Sequence, residues 1–225
     1  MKYGFAVIAA CVALAAGAAV AGAEYVAPKD VTQAAIEAKH TRYGELKKAA
    51  NNRDTDETRA ILREIYADQA AFFAARADLD DEAWLNEGNP FRYNWKMIGF
   101  LRETEEGRRR AAIAGDRILA LPAWGGAARK AKASLAGAAD CVLRSKDPEL
   151  RRKAAYYLRM SADIAKAGGD YKGYANTLDR LAMTLLKDWL DRPAALDIYR
   201  EGFRDPSVPA REKSRIESMI WQLED

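Results

Sequence analysis

Cysteine and histidine are nearly missing from this chain, which has two of the first and one of the second in 225 residues. Cys11 lies in an apolar N-terminal run, so Cys141 stands alone once that run is removed. An intramolecular disulfide is then excluded, and Cys141 can pair only with another molecule. Its surroundings, Ala138-Ala139-Asp140-Cys141-Val142-Leu143, favour a buried thiol serving as a small apolar side chain. One histidine and one cysteine about a hundred positions apart do not make a zinc site. His40 also lacks a nucleophile motif such as Gly-x-Ser-x-Gly. It reads as a surface or half-buried residue of a helix, with Glu37 and Tyr43 at local helical spacing.

Other signals are absent too. Alternating β-branched runs are missing, which argues against sheets. Gly125-Gly126 and Gly168-Gly169 are short turn glycines without phosphate-loop or dinucleotide spacing. Asp78 and Asn52 each begin an alternating acidic pattern. Their sixth positions are Ala83 and Glu57 and their twelfth are Asn89 and Arg63, so neither is a calcium loop. These carboxylates read as helix caps and first-turn charges facing the helix dipole. No cofactor is implied. With 36 basic and 33 acidic residues the charge is nearly balanced, which gives nucleic-acid binding no electrostatic support.

What is present begins at the N-terminus. Lys2 precedes a run from Gly4 to Gly22 without charge, and Ala21-Gly22-Ala23 offers small residues just before Glu24. This is the pattern of a cleaved secretory signal over residues 1–23. Residues 24–225 then form one all-helical domain, exported to the periplasm or secreted. Two alternatives compete. Ile8-Ala9-Ala10-Cys11 resembles a lipobox, which would make Cys11 a lipidated terminus, and residues 4–22 are about long enough to stay as a membrane anchor. No later run approaches that length.

The remainder is rich in alanine, leucine, arginine, lysine and glutamate, all strong helix formers. Proline, glycine and asparagine fall at boundaries. The pattern predicts helices over about 31–50, capped by Asp30, and 56–77, with Ile61, Ile65 and Phe72 on the core face. A connector over 78–90 carries a short helix near Trp84. A third long helix follows over about 91–110, breaking near Gly107. Further helices cover 108–121, 127–144, 148–167, 171–190, 193–203 and 209–223. Glu105 with Arg109, and Glu106 with Arg110, have the four-residue spacing of helical salt pairs.

The densest chemistry lies in Asn89-Pro90-Phe91-Arg92-Tyr93-Asn94-Trp95-Lys96-Met97-Ile98-Gly99-Phe100. Four aromatics there exceed what one helix face needs. Phe91 and Trp95 would face the core with Ile98, while Tyr93 and Phe100 pack on a second neighbour. Alternatively Phe91, Tyr93, Trp95 and Phe100 form an aromatic platform for a peptide or glycan, since aromatics interleaved with arginine are enriched at interfaces.

The last third shows a further pattern. Tyr174-Ala175, Leu178, Leu181-Ala182 and Leu185 lie on one helix, Asp191-Arg192-Pro193 makes a turn, and Ala195-Leu196-Asp197-Ile198-Tyr199 opens the next. A small residue followed four later by an aromatic lets two helices approach while the ring fills the gap beyond. The stretch 174–206 resembles tetratricopeptide-type helical hairpins, with looser support over 148–173 and 209–223. It departs from the family at Gly202, in place of a typical alanine, and in having no counterpart of the early tryptophan. The resemblance implies an all-α fold of antiparallel helical hairpins in an α-solenoid-like or bundle arrangement, most repeat-like over 147–225. It implies a non-catalytic interaction or scaffold role in the cell envelope, with another envelope protein or a peptide as partner. The alternatives are an exported carboxylate-based hydrolase acting on glycans and a glycan- or peptide-binding helical domain.

Overall fold

The computed structural model describes residues 25–121 and 127–224. Residues 1–23, expected to be a signal peptide, and the expected helix-boundary residues Pro122 and Gly125-Gly126 lie outside the described residues. The chain divides into two compact units, Met1–Ala71 and Phe72–Asp225. Among the described residues there are ten α-helices and no strand. No helix among them is long and apolar enough to cross a membrane.

The first unit holds α1 (Gln33–Ala49) and most of α2 (Asp56–Ala74). The cap of α1 is Thr32, whose hydroxyl accepts from Ala35 N at 3.2 Å, rather than the expected Asp30. Asn51 and Asn52 turn the chain with φ of 52° and 61°, a region asparagine tolerates better than most residues. Thr55 and Thr58 then cap α2 reciprocally, each hydroxyl accepting the other's backbone N–H at 3.1 and 2.8 Å. Ile36, Ile61 and Ile65 are buried. Lys39 bridges Asp68 at 2.7 Å and Glu64 at 3.2 Å and donates to the Tyr25 hydroxyl at 2.7 Å. Burial disfavours the Lys39 charge, but these bonds outweigh it and hold its pKa above the ordinary lysine value.

The second unit begins irregularly. Asp80 caps α3 (Asp81–Ala83), which runs into a π-helical turn, Trp84–Gly88, and a 3-10 turn, Pro90–Arg92. The long helix expected over 91–110 does not form. Asn89 Oδ1 takes the N–H of Phe91, and Asn94 Oδ1 takes those of Lys96 and Met97 at 3.0 and 3.2 Å. Short polar side chains thus capture the backbone donors that a helix would need. Helix resumes as α4 (Gly99–Glu103) and α5 (Glu105–Ala120). The break falls at Thr104, whose hydroxyl caps α5 through Gly107 N at 2.9 Å. Gly107 lies against α4 so closely that a Cβ there would sit 1.9 Å from the Phe100 carbonyl oxygen.

Five helices follow: α6 (Ala128–Val142), α7 (Pro148–Ala167), α8 (Tyr171–Asp188), α9 (Arg192–Arg204) and α10 (Ala210–Glu224). Asp147, Asp170 and Asp191 cap α7, α8 and α9 through their side chains. Proline in the first turn of α7 and α9 supports the same boundaries. From α5 onward each helix packs on the next, and α5 also meets α7 as α8 meets α10. This is a sequential stack, compatible with helical repeats.

Its core combines alanines with leucines, isoleucines and three tyrosines. Ala195 and Tyr199 are both buried, as are Tyr157 and Tyr174. Each phenol donates to a carboxylate on a neighbouring helix: Tyr157 to Asp116 at 2.7 Å, Tyr174 to Glu201 at 2.8 Å, and Tyr199 to Asp179 at 3.0 Å. Burial first, and the adjacent carboxylate second, hold all three phenols well above the usual tyrosine pKa. Gly202, where the repeat pattern has alanine, faces Ile216 and Leu178, which a Cβ would meet at 3.0 and 3.2 Å. Ion pairs tie alternate helices: Asp140 with Arg180, Arg159 with Glu201 and Asp179 with Arg215.

Candidate binding site

The aromatic segment is spent largely on internal packing. Phe91 packs on Gly137 of α6, where a Cβ would stand 2.7 Å from its ring. Phe100 is 2 % exposed and stacks on Phe73, with centroids 6.0 Å apart. Tyr93 meets the edges of Phe72 and Phe73 at 5.6 and 5.5 Å and donates its hydroxyl to the Glu87 carbonyl. Trp95, 66 % exposed, is the one ring of the four turned mostly to solvent, with Lys96 Nζ 5.9 Å from its centre.

Phe73 and Phe100 also form one wall of a cavity of about 200 Å³. Ala77, Trp84, Pro90, Leu101, Ile113 and Ala114 complete the apolar lining, and Arg110 and Arg117 flank it. Four separate segments build it, and specific bonds hold them. Asn89 donates from Nδ2 to the Ser134 hydroxyl at 2.9 Å, which pins the loop after the π-helical turn to α6. Gly88 lets the Trp84 indole fold back, since a Cβ there would sit 2.4 Å from Trp84 Cδ1. Arg117 donates to the carbonyls of Ala77 at 2.8 Å and Leu79 at 2.6 Å and lies 4.6 Å from the centre of the Trp84 ring. Ile113 is 66 % exposed and marks the mouth. Arg110, Ile113 and Arg117 share one face of α5, three and four residues apart.

The lining carries no carboxylate, the group on which glycoside hydrolysis depends. Carboxylates do line a more open cavity of about 740 Å³, among them Glu201 and Asp205. Burial raises the Glu201 pKa, but bonds from Arg159 and Tyr174 outweigh it and bring it below the usual value. Lys166 and Ser207 hold Asp205 down to about 2. A general acid needs its pKa raised, so neither is poised for that task. A third cavity, about 500 Å³, is bordered by the Lys132–Asp170 ion pair. These two larger spaces border helix ends that are already tied together.

Comparison with family models, with curated proteins and with solved structures finds no match.

The remaining chemistry is structural. Burial pushes the Cys141 thiol up to about 12, so it is not a nucleophile at neutral pH. His40 is half-buried, with its Nε2 3.1 Å from Gln69 Nε2. Asp80 caps a helix and Asp54 pairs with Lys47 at 2.6 Å. Glu106 pairs with Arg110 as the spacing predicts, at 2.9 Å. Glu105 instead takes Arg108, the Ser145 hydroxyl and Lys146 N, which ties the start of α5 to the loop before α7.

Phe100 was legible in the sequence, but Trp84, Ile113, Arg110 and Arg117 were not legible as its companions. The available signal was Arg110-x-x-Ile113-x-x-x-Arg117, an apolar residue on the charged face of a helix.

Proposed function

We propose that this protein is a non-catalytic interaction module of the cell envelope, built from tetratricopeptide-like hairpins, which holds a protein or peptide segment by one apolar side chain. The observation that carries this reading is the cavity among Phe73, Trp84, Phe100 and Ile113. At about 200 Å³ it is smaller than the ~300–1,000 Å³ of small-molecule sites and suits a single large side chain. Aromatic walls beside arginine are the composition of binding hot spots. The sequential helix stack supports the hairpin assignment, and the pattern of residues 1–23 supports export.

Selection of random peptides on the purified protein tests the reading. The expected result is one motif centred on a large apolar residue. Its binding is lost in Ala114→Leu, which fills the cavity, and in Ile113→Ser, while circular dichroism stays unchanged. Motifs that bind both variants as well as the parent would overturn it.

A further inference from the structure

The cavity's two ends differ in charge. Along α5, Arg110 and Arg117 stand seven residues apart, or about 10 Å at the helical rise, with Ile113 between them. At the Arg110 end, Arg109 and Arg110 share the single carboxylate of Glu106, at 3.9 and 2.9 Å. That end keeps an excess of positive charge. At the other end, Arg117 is consumed. Its guanidinium serves the carbonyls of Ala77 and Leu79 and the carboxylate of Asp81 at 3.0 Å. Asp78, Asp80 and Glu82 are exposed on the same short segment and outnumber Arg76, the cation just before it, which leaves that end net acidic.

Resting on the peptide-binding reading above, we infer that the bound segment carries opposite charges on either side of its apolar anchor. An acidic residue lies toward Arg109 and Arg110, and a basic residue lies toward Asp78 and Glu82. The dimensions agree. Residues two positions before and after the anchor of an extended peptide are about 13 Å apart, comparable with the ~10 Å between Arg110 and Arg117 along α5. Charges of this kind select partners and orient them more than they add affinity. Because both ends are exposed, the preference falls as salt rises.

Fluorescence anisotropy with four labelled peptides tests this: Glu-Ala-Phe-Ala-Lys, Glu-Ala-Phe-Ala-Glu, Lys-Ala-Phe-Ala-Lys and Glu-Ala-Ser-Ala-Lys. The mixed-charge phenylalanine peptide should bind roughly fivefold tighter than either uniformly charged one at low salt, and the gap should close at high salt. Arg110→Glu should weaken the mixed peptide by a similar factor and favour the all-lysine one. Equal binding by the three phenylalanine peptides would overturn the inference and leave the pocket reading standing. Equal binding by the phenylalanine and serine peptides, or no binding by any of them, would overturn both.

Discussion

Arg117 covers Trp84: its guanidinium lies 4.6 Å from the centre of the ring while it donates to the carbonyls of Ala77 and Leu79. One side chain thus fastens the segment before α3 to the face of α5 and sets one wall of the cavity.

Replacing Arg117 with alanine should destabilise the second unit by about 1–3 kcal/mol, since the two carbonyls lose their donors and the indole its cover. Arg117→Lys should recover only part of this, because an ammonium cannot serve two carbonyls and a ring in one plane. Urea unfolding followed by tryptophan fluorescence reads both. A lysine variant as stable as the parent would show that charge alone suffices.

Backbone geometry predicts substitutions of opposite sign. Gly107→Ala should be severely destabilising, since its Cβ would fall 1.9 Å from the Phe100 carbonyl oxygen and 2.6 Å from Leu101 Cα. Gly44 has open space around it inside α1, so Gly44→Ala should stabilise by about 0.5–1 kcal/mol. Leu190 is 85 % exposed and holds a φ of 55° after α8. Leu190→Gly should relieve strain of about 1 kcal/mol. Thermal midpoints of the three variants check these signs.

The helices of the second half were legible in sequence because local signals agree there. Asp147-Pro148, Gly168-Gly169-Asp170 and Asp191-Arg192-Pro193 combine a cap, a breaker and a change of periodicity within three or four residues. Between Phe91 and Arg110 those signals conflict. Apolar spacing there suits a helix, yet Asn94 and Thr104 each capture backbone donors and divide it. The cavity was less legible still. Phe73, Trp84, Phe100 and Ile113 come from four separate segments, and only their packing brings them together. Tyr174, Ala195 and Tyr199 were legible through the resemblance to helical hairpins, in which a small residue followed four later by an aromatic marks close helix packing.

Acid should loosen the tie between α7 and the loop after α9. Asp205 pairs with Lys166 at 2.5 Å and accepts from Ser207 N at 2.9 Å, and these partners lower its pKa to about 2. A depressed carboxylate contributes stability above its unfolded value of about 4. That contribution is lost as pH falls from there through about 2. Unfolding measured against pH should show this acid limb, and Asp205→Asn should flatten it. An unchanged limb would assign the loss to other carboxylates.

Cys141 should be silent in the folded protein. It is 1 % exposed, and burial raises its pKa to about 12. A thiol reagent at neutral pH should label it only after denaturant is added. Rapid labelling of the native chain would contradict its placement and reopen an intermolecular disulfide.

If a ligand enters between Trp84 and Ile113, the five tryptophans allow a direct reading. Indole N–H resonances, assigned by single Trp→Phe substitutions, can be followed while the mixed-charge phenylalanine peptide is titrated in. A saturable shift of the Trp84 indole is expected, with those of Trp189 and Trp221 unmoved. A saturable shift at Trp189 or Trp221 with Trp84 unmoved would contradict it.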